Sequence, residues 1–134
     1  MRLSEILAIT NAKFFSPNPS TPPNRSILDR DVLVGGSADL MSDVLCFNLS
    51  QGLLVTGLIN PQSVRTAEMA DVAAILIVRD KTPPPETIRI AWEVDIPIMG
   101  TQMTMFEACG RLYAAGLPPV ERRNGDPEPG STTR

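Results

Sequence analysis

The chain has 134 residues, 43% of them apolar and 20% charged, with a net charge of −3, a profile that fits one globular domain. The acidic balance and scattered basic residues leave no electrostatic footprint for nucleic acid, and no apolar run reaches the ~20 residues of a membrane span. Histidine is absent and there are two cysteines, which excludes Ser-His-Asp and Cys-His nucleophile activation and removes the commonest zinc ligand.

In chain order, LSEILA (3–8) reads as a short helix and Lys13-Phe14-Phe15 as a first strand. SPNPSTPPN (16–24) is loop-like by its Pro, Ser and Asn content. VLV (32–34) reads as a strand, Gly35-Gly36-Ser37 as a turn, and 38–49 as a helix. On that helix Leu40, Met41, Val44 and Leu45 share an apolar face. LLVT (53–56) is a strand, followed by a helix over 61–70. Asn60-Pro61 places a capping side chain before a proline whose missing N–H costs nothing there.

AAILIV (73–78) is six apolar residues without alternation, the pattern of a strand covered on both faces in a parallel sheet. Asp71 and Asp80 flank it at turn positions. A helix over 84–94 follows, with Thr82 placed as its cap, then IPIM (96–99) as a strand. The last helix spans 104–115, with Thr104 and Glu107 at capping-box spacing and Gly116 and Pro118 as its stop. Strands alternating with helices give an α/β layered sandwich with a mostly parallel sheet flanked by helices. Residues 1–117 form one domain, and 118–134 read as a disordered tail. Cys46 and Cys109 fall within apolar helical patterns and read as buried free thiols in a reducing cytoplasm.

The segment VLVGGSADLMSDVL has the strand–glycine–helix layout of a phosphate loop, but no lysine follows Gly35-Gly36-Ser37 and the spacing of a dinucleotide fingerprint is missing. Asp39, placed in the first helical turn, fills its own anion position, with Ser37 as a cap. Ligands in open α/β sheets bind at the carboxyl ends of strands. A small-ligand site there would draw on Gly36, Ser37, Asn60, Thr101 and Thr104, with Arg65 as a phosphate partner. On the last helix Phe106, Cys109, Gly110 and Tyr113 share a face that Met105, Leu112 and Met103 extend. This face is wider than an outer helix needs, and Met103, Met105, Gly110 and Tyr113 are its expected subunit contacts.

The run VLVGGSADLMSDVL, followed by LLVTGLINPQSVRTAEMADVAAILIVRDKTPPPETIRIAWEVDIPIMGTQMTMFEACGRLYAAGL, resembles the DRTGG domain family over about residues 27–117. The resemblance is carried by Gly35, Gly36 and Asp39 to Val44, then by Ile96-Pro97-Ile98, Thr101, Phe106, Glu107, Gly110, Arg111, Leu112 and Tyr113. It implies an α/β layered fold similar to the N-terminal domain of HPr kinase/phosphorylase. It also implies a regulatory or subunit-joining role, as in domains inserted between CBS modules of regulatory pyrophosphatases, and it transfers no catalytic residue.

The expectation is therefore a non-catalytic cytoplasmic module with no cofactor and no metal. It associates with itself, a dimer being favoured, and with a metabolic enzyme or signalling protein, and it touches neither nucleic acid nor membrane. The alternative is a sensor that binds a nucleotide or acyl-phosphate at the strand carboxyl ends.

Overall fold

Four residues of the central apolar run, Ala74 to Ile77, form a strand buried on both sides. Around it a computed structural model describes residues 1–18 and 23–121. The elements are α1 (Leu3–Thr10), β1 (Lys13–Phe15), α2 (Arg25–Leu28), β2 (Gly35–Ser37), α3 (Met41–Cys46), β3 (Leu53–Thr56), α4 (Pro61–Met69), β4 (Ala74–Ile77), α5 (Pro85–Glu93), β5 (Ile98–Gly100) and α6 (Met105–Ala114). The sheet order is β1-β5-β4-β3-β2. Strands β2 to β5 are parallel in chain order, and β1 adds antiparallel beside β5.

Strand alternation divides the core in two. Leu53, Val55, Ala74, Leu76 and Met99 face α1 and α6, packing with Leu3, Ile6, Ala108 and Leu112. Leu54, Ile75, Ile77 and Ile98 face α3, α4 and α5, packing with Val44, Val64, Ala67, Ile90 and Ala91. Each fully buried Leu or Ile contributes about 1.5–3 kcal/mol. The expected layered α/β sandwich is thus observed. Because α5 and α6 lie on opposite faces, the chain leaves the adjacent strands β4 and β5 in opposite directions.

Local chemistry explains the ends of several elements. Asn60 Oδ1 accepts from Ser63 N (2.9 Å) and Thr104 Oγ1 from Glu107 N (3.3 Å). The Glu107 carboxylate does not return to close a capping box; it binds Arg111 one turn on (3.0 Å). Thr82 does not cap α5, whose N-cap is Pro84, without a side-chain bond. Asp71 and Asp80 are turn residues, both in the left-handed region (φ 59° and 58°).

The glycine segment departs from its sequence reading. Gly35 to Ser37 is the strand itself, not a turn, and Val32 to Val34 lead into it, with Leu33 N donating to Gln51 O (2.9 Å). Helix α3 starts only at Met41 and has six residues, so its apolar face is short. Val44 is buried, whereas Leu40 and Leu45 are exposed. Cys46 is exposed and Cys109 half-buried, so the thiols are free but not buried as expected. Residues 118–121, read as the start of a loose tail, run along the sheet edge: Gly35 N donates to Pro118 O (2.8 Å) and Val120 N to Gly35 O (3.0 Å). The rest of that tail, and residues 19–22 of the proline-rich loop, lie outside the described residues. Among the described residues no helix is long and apolar enough to cross a membrane.

Candidate functional site

Two surfaces merit attention, one apolar and one charged. The apolar one is a groove of about 680 Å³ between the edge strand β2 and α6. Its floor is glycine because the segment after α6 packs closely there: a Cβ on Gly35 would lie 2.7 Å from Leu117 Cδ2. Its wall is the α6 face, where Phe106, Cys109, Gly110 and Tyr113 recur at helical spacing. Phe106 is 91% exposed and Tyr113 69%, and open space surrounds the position of a Gly110 Cβ. Burial pushes the Cys109 thiol up, against a smaller opposing effect of the Ser37 hydroxyl.

The charged surface lies at the carboxyl end of β3. Asp39, expected in the first turn of α3, instead turns to this strand. Its Oδ1 accepts from Gly57 N (2.7 Å) and Thr56 Oγ1 (3.1 Å). Lys81 Nζ reaches back from the β4–α5 connection to Gly57 O (2.8 Å). A Cβ on Gly57 would stand 2.8 Å from Arg79 Nη2, 3.4 Å from Lys81 Nζ and 3.5 Å from Asp39 Oδ1. Arg79 and Asp80 are successive left-handed residues (φ 62° and 58°). Their amides are tied to the β5–α6 connection, Arg79 N to Met103 O (2.8 Å) and Asp80 N to Thr101 O (2.9 Å).

The six residues expected to bind a ligand are not brought together. Asn60 and Thr104 cap helices. Thr101 is buried, its Oγ1 donating to Thr10 O (2.6 Å). Arg65 lies exposed on α4, 3.8 Å from Glu68. Gly36 and Ser37 line the apolar groove. Of the four expected subunit contacts, Met105, Gly110 and Tyr113 also line that groove, while Met103 packs against the core. Sequence reasoning missed Thr56, Arg79 and Lys81. The available signal was VRDK, a charged run placed directly after the most apolar strand. Among the described residues no three His, Cys, Asp or Glu side chains are grouped to hold a metal ion.

No family model matches the chain, and no curated protein matches it. Among solved structures it is similar to the CBS and DRTGG domains of the regulatory region of Clostridium perfringens pyrophosphatase, complexed with its activator diadenosine tetraphosphate. The TM-score is 0.62 at 18% identity, over 92% of this chain and 51% of that one. The chain thus spans about half the length of the structure it resembles, and what the two share is the fold.

Proposed function

We propose that this protein is a non-catalytic regulatory module of the DRTGG type that works by self-association, forming a dimer through the α6–β2 groove. The observation that carries this reading is Phe106, 91% exposed beside an apolar groove lined by its own helix. A knob and a hollow on the same patch are self-complementary, as a two-fold interface requires. Gly110 lies between Phe106 and Tyr113 and lets a second α6 approach closely. Glu107 and Arg111 on the flank of the helix supply opposite charges that a facing copy can exchange.

The absence of histidine from the sequence supports a module without its own chemistry. The likeness in fold to part of a pyrophosphatase regulatory region supports a regulatory role toward a metabolic enzyme or signalling protein. Two free thiols support a cytoplasmic setting.

Sedimentation equilibrium of the wild-type protein and of Phe106→Glu tests the reading. The wild type is expected to dimerise in the micromolar range and the variant to sediment as a monomer, with the unfolding midpoint that the wild type shows when diluted below that range. A wild-type protein that stays monomeric to roughly 100 µM, near −5.5 kcal/mol of association, refutes it. Ligand sensing is a second reading, favoured by the meeting of Arg79 and Lys81 at the carboxyl end of β3.

A further inference from the structure

We infer that the carboxyl end of β3 is an anion site that takes a phosphoryl group, with Arg79 and Lys81 as its cationic arms. The inference deepens the ligand-sensing reading, and it uses no residue of the groove proposed for self-association.

The charge arrangement carries it. Arg79 Nη2 and Lys81 Nζ lie within 2.8 and 3.4 Å of one point above Gly57, so two positive charges are held close together. The next nearest atom to that point is a carboxylate oxygen, Asp39 Oδ1 at 3.5 Å, and it already accepts from Gly57 N and Thr56 Oγ1. Neither cation takes part in any ion pair within 4.0 Å among the described residues. At that point a guanidinium and an ammonium converge, with Asp80 between them in the chain, and together they offer the fork and the point charge that phosphate oxygens accept.

The backbone holds Arg79 in place. It adopts φ 62° followed by Asp80 at 58°, a conformation that costs an L-residue free energy and persists only where surroundings impose it. Here the amides of both residues are fixed by carbonyls of the β5–α6 connection. Gly57 completes the arrangement. No left-handed φ demands glycine there, but any Cβ would meet the guanidinium at 2.8 Å. The missing side chain is the space in which Arg79 sits. Lys81 by itself has a structural role as a latch on Gly57 O (2.8 Å), whereas the Arg79 side chain makes no comparable bond among the described residues. The position agrees with the rule that open parallel sheets bind ligands beyond the carboxyl ends of their strands.

Calorimetric titration and thermal shift of the full chain with pyrophosphate, ADP and adenosine, at ionic strength matched with KCl, test the assignment. Pyrophosphate and ADP are expected to bind saturably and adenosine not at all; ADP binding well above pyrophosphate marks a nucleotide as the source of the phosphoryl group. Arg79→Gln weakens binding by about tenfold or more, the worth of one charge-assisted hydrogen bond. Gly57→Ala keeps both charges but displaces the guanidinium, and weakens binding similarly. Lys81→Gln provides a second charge-removing variant should Arg79→Gln fail to fold. Arg65→Gln, with the same loss of charge at a remote site, leaves binding unchanged. The inference is overturned if pyrophosphate gives no saturable signal up to about 10 mM, if matched KCl reproduces its effect, or if Arg65→Gln weakens binding as much as Arg79→Gln. Sedimentation of the same samples reports self-association separately, so failure of one reading is distinguishable from failure of the other.

Discussion

Leu117 Cδ2 occupies the space in which a side chain on Gly35 would begin, 2.7 Å from the position of its Cβ. Leu117 is buried and its amide is tied to Leu112 O (3.0 Å), so the segment after α6 is wedged against the edge strand. The two backbone bonds between Gly35 and the 118–120 segment continue this contact. Gly35→Ala is therefore expected to destabilise the fold by about 1–3 kcal/mol, the usual range for overpacking. The check is a lowered urea midpoint with an unchanged slope. Gly36→Ala should cost less, since the nearest neighbours of its Cβ, Leu49 Cδ2 and Val120 Cγ1, would stand at 3.1 Å rather than 2.7 Å. Equal stability of Gly35→Ala and wild type would show that the wedge yields freely.

The same contact marks what the sequence made legible and what it did not. Helices α4, α5 and α6 and strands β3 and β4 are readable within a residue or two, because prolines, caps and an apolar run act locally. The strand role of Gly35–Ser37 was not readable, because it depends on pairing with Leu53–Val55 of β3 and on room left beside Leu117 and Val120, some eighty residues on in the chain. Helix α2 hides at the end of a proline-rich stretch, started by Asn24 Oδ1 accepting from Ile27 N (2.9 Å). The apolar face of α6 was visible as a helical stripe, and its groove appears where β2 lies alongside. The charged cluster was half legible: VRDK is plain in the sequence, but the pairing of β4 with β3 decides that it meets Gly57.

Thr101 separates a structural from a ligand-binding role. Its Oγ1 donates to Thr10 O and accepts from Met103 N (3.2 Å), tying β5 to the end of α1. Thr101→Val keeps the shape but strands a buried carbonyl, at a cost of about 1–3 kcal/mol. Thermal unfolding should reveal that loss while pyrophosphate binding stays unchanged. A variant of wild-type stability that has lost binding would return Thr101 to the ligand site.

The two thiols should report on the groove. Cys46 is exposed, whereas Cys109 is half-buried with its thiol pushed up by desolvation. Maleimide labelling followed by mass spectrometry is expected to modify Cys46 first, since the thiolate is the reacting form. Labelling of Cys109 should slow further as protein concentration rises, the outcome that the proposed self-association through the groove requires. In Phe106→Glu that concentration dependence should vanish. The raised thiol also has a sign: its stabilisation is complete below the ordinary thiol pKa and is lost as pH climbs through the higher folded value.

Asp71 governs the opposite end of the pH scale. Its Oδ2 accepts from Ser50 Oγ (2.8 Å) and Gln51 Nε2 (3.1 Å), bonds that hold the carboxyl below its ordinary range. The folded pKa is depressed, so the contribution to stability is present above the unfolded pKa and disappears as pH falls through the folded value. Asp71→Asn leaves the left-handed backbone (φ 59°) undisturbed, because Asn tolerates that region well. It removes the titrating group while keeping an oxygen acceptor. Urea midpoints measured at about pH 7 and about pH 3 should therefore fall less in Asp71→Asn than in wild type. Since Asp71 is exposed, the difference should shrink as salt is added. Parallel loss in the two proteins at low pH would show that Ser50 and Gln51 bind the acid and the carboxylate equally well.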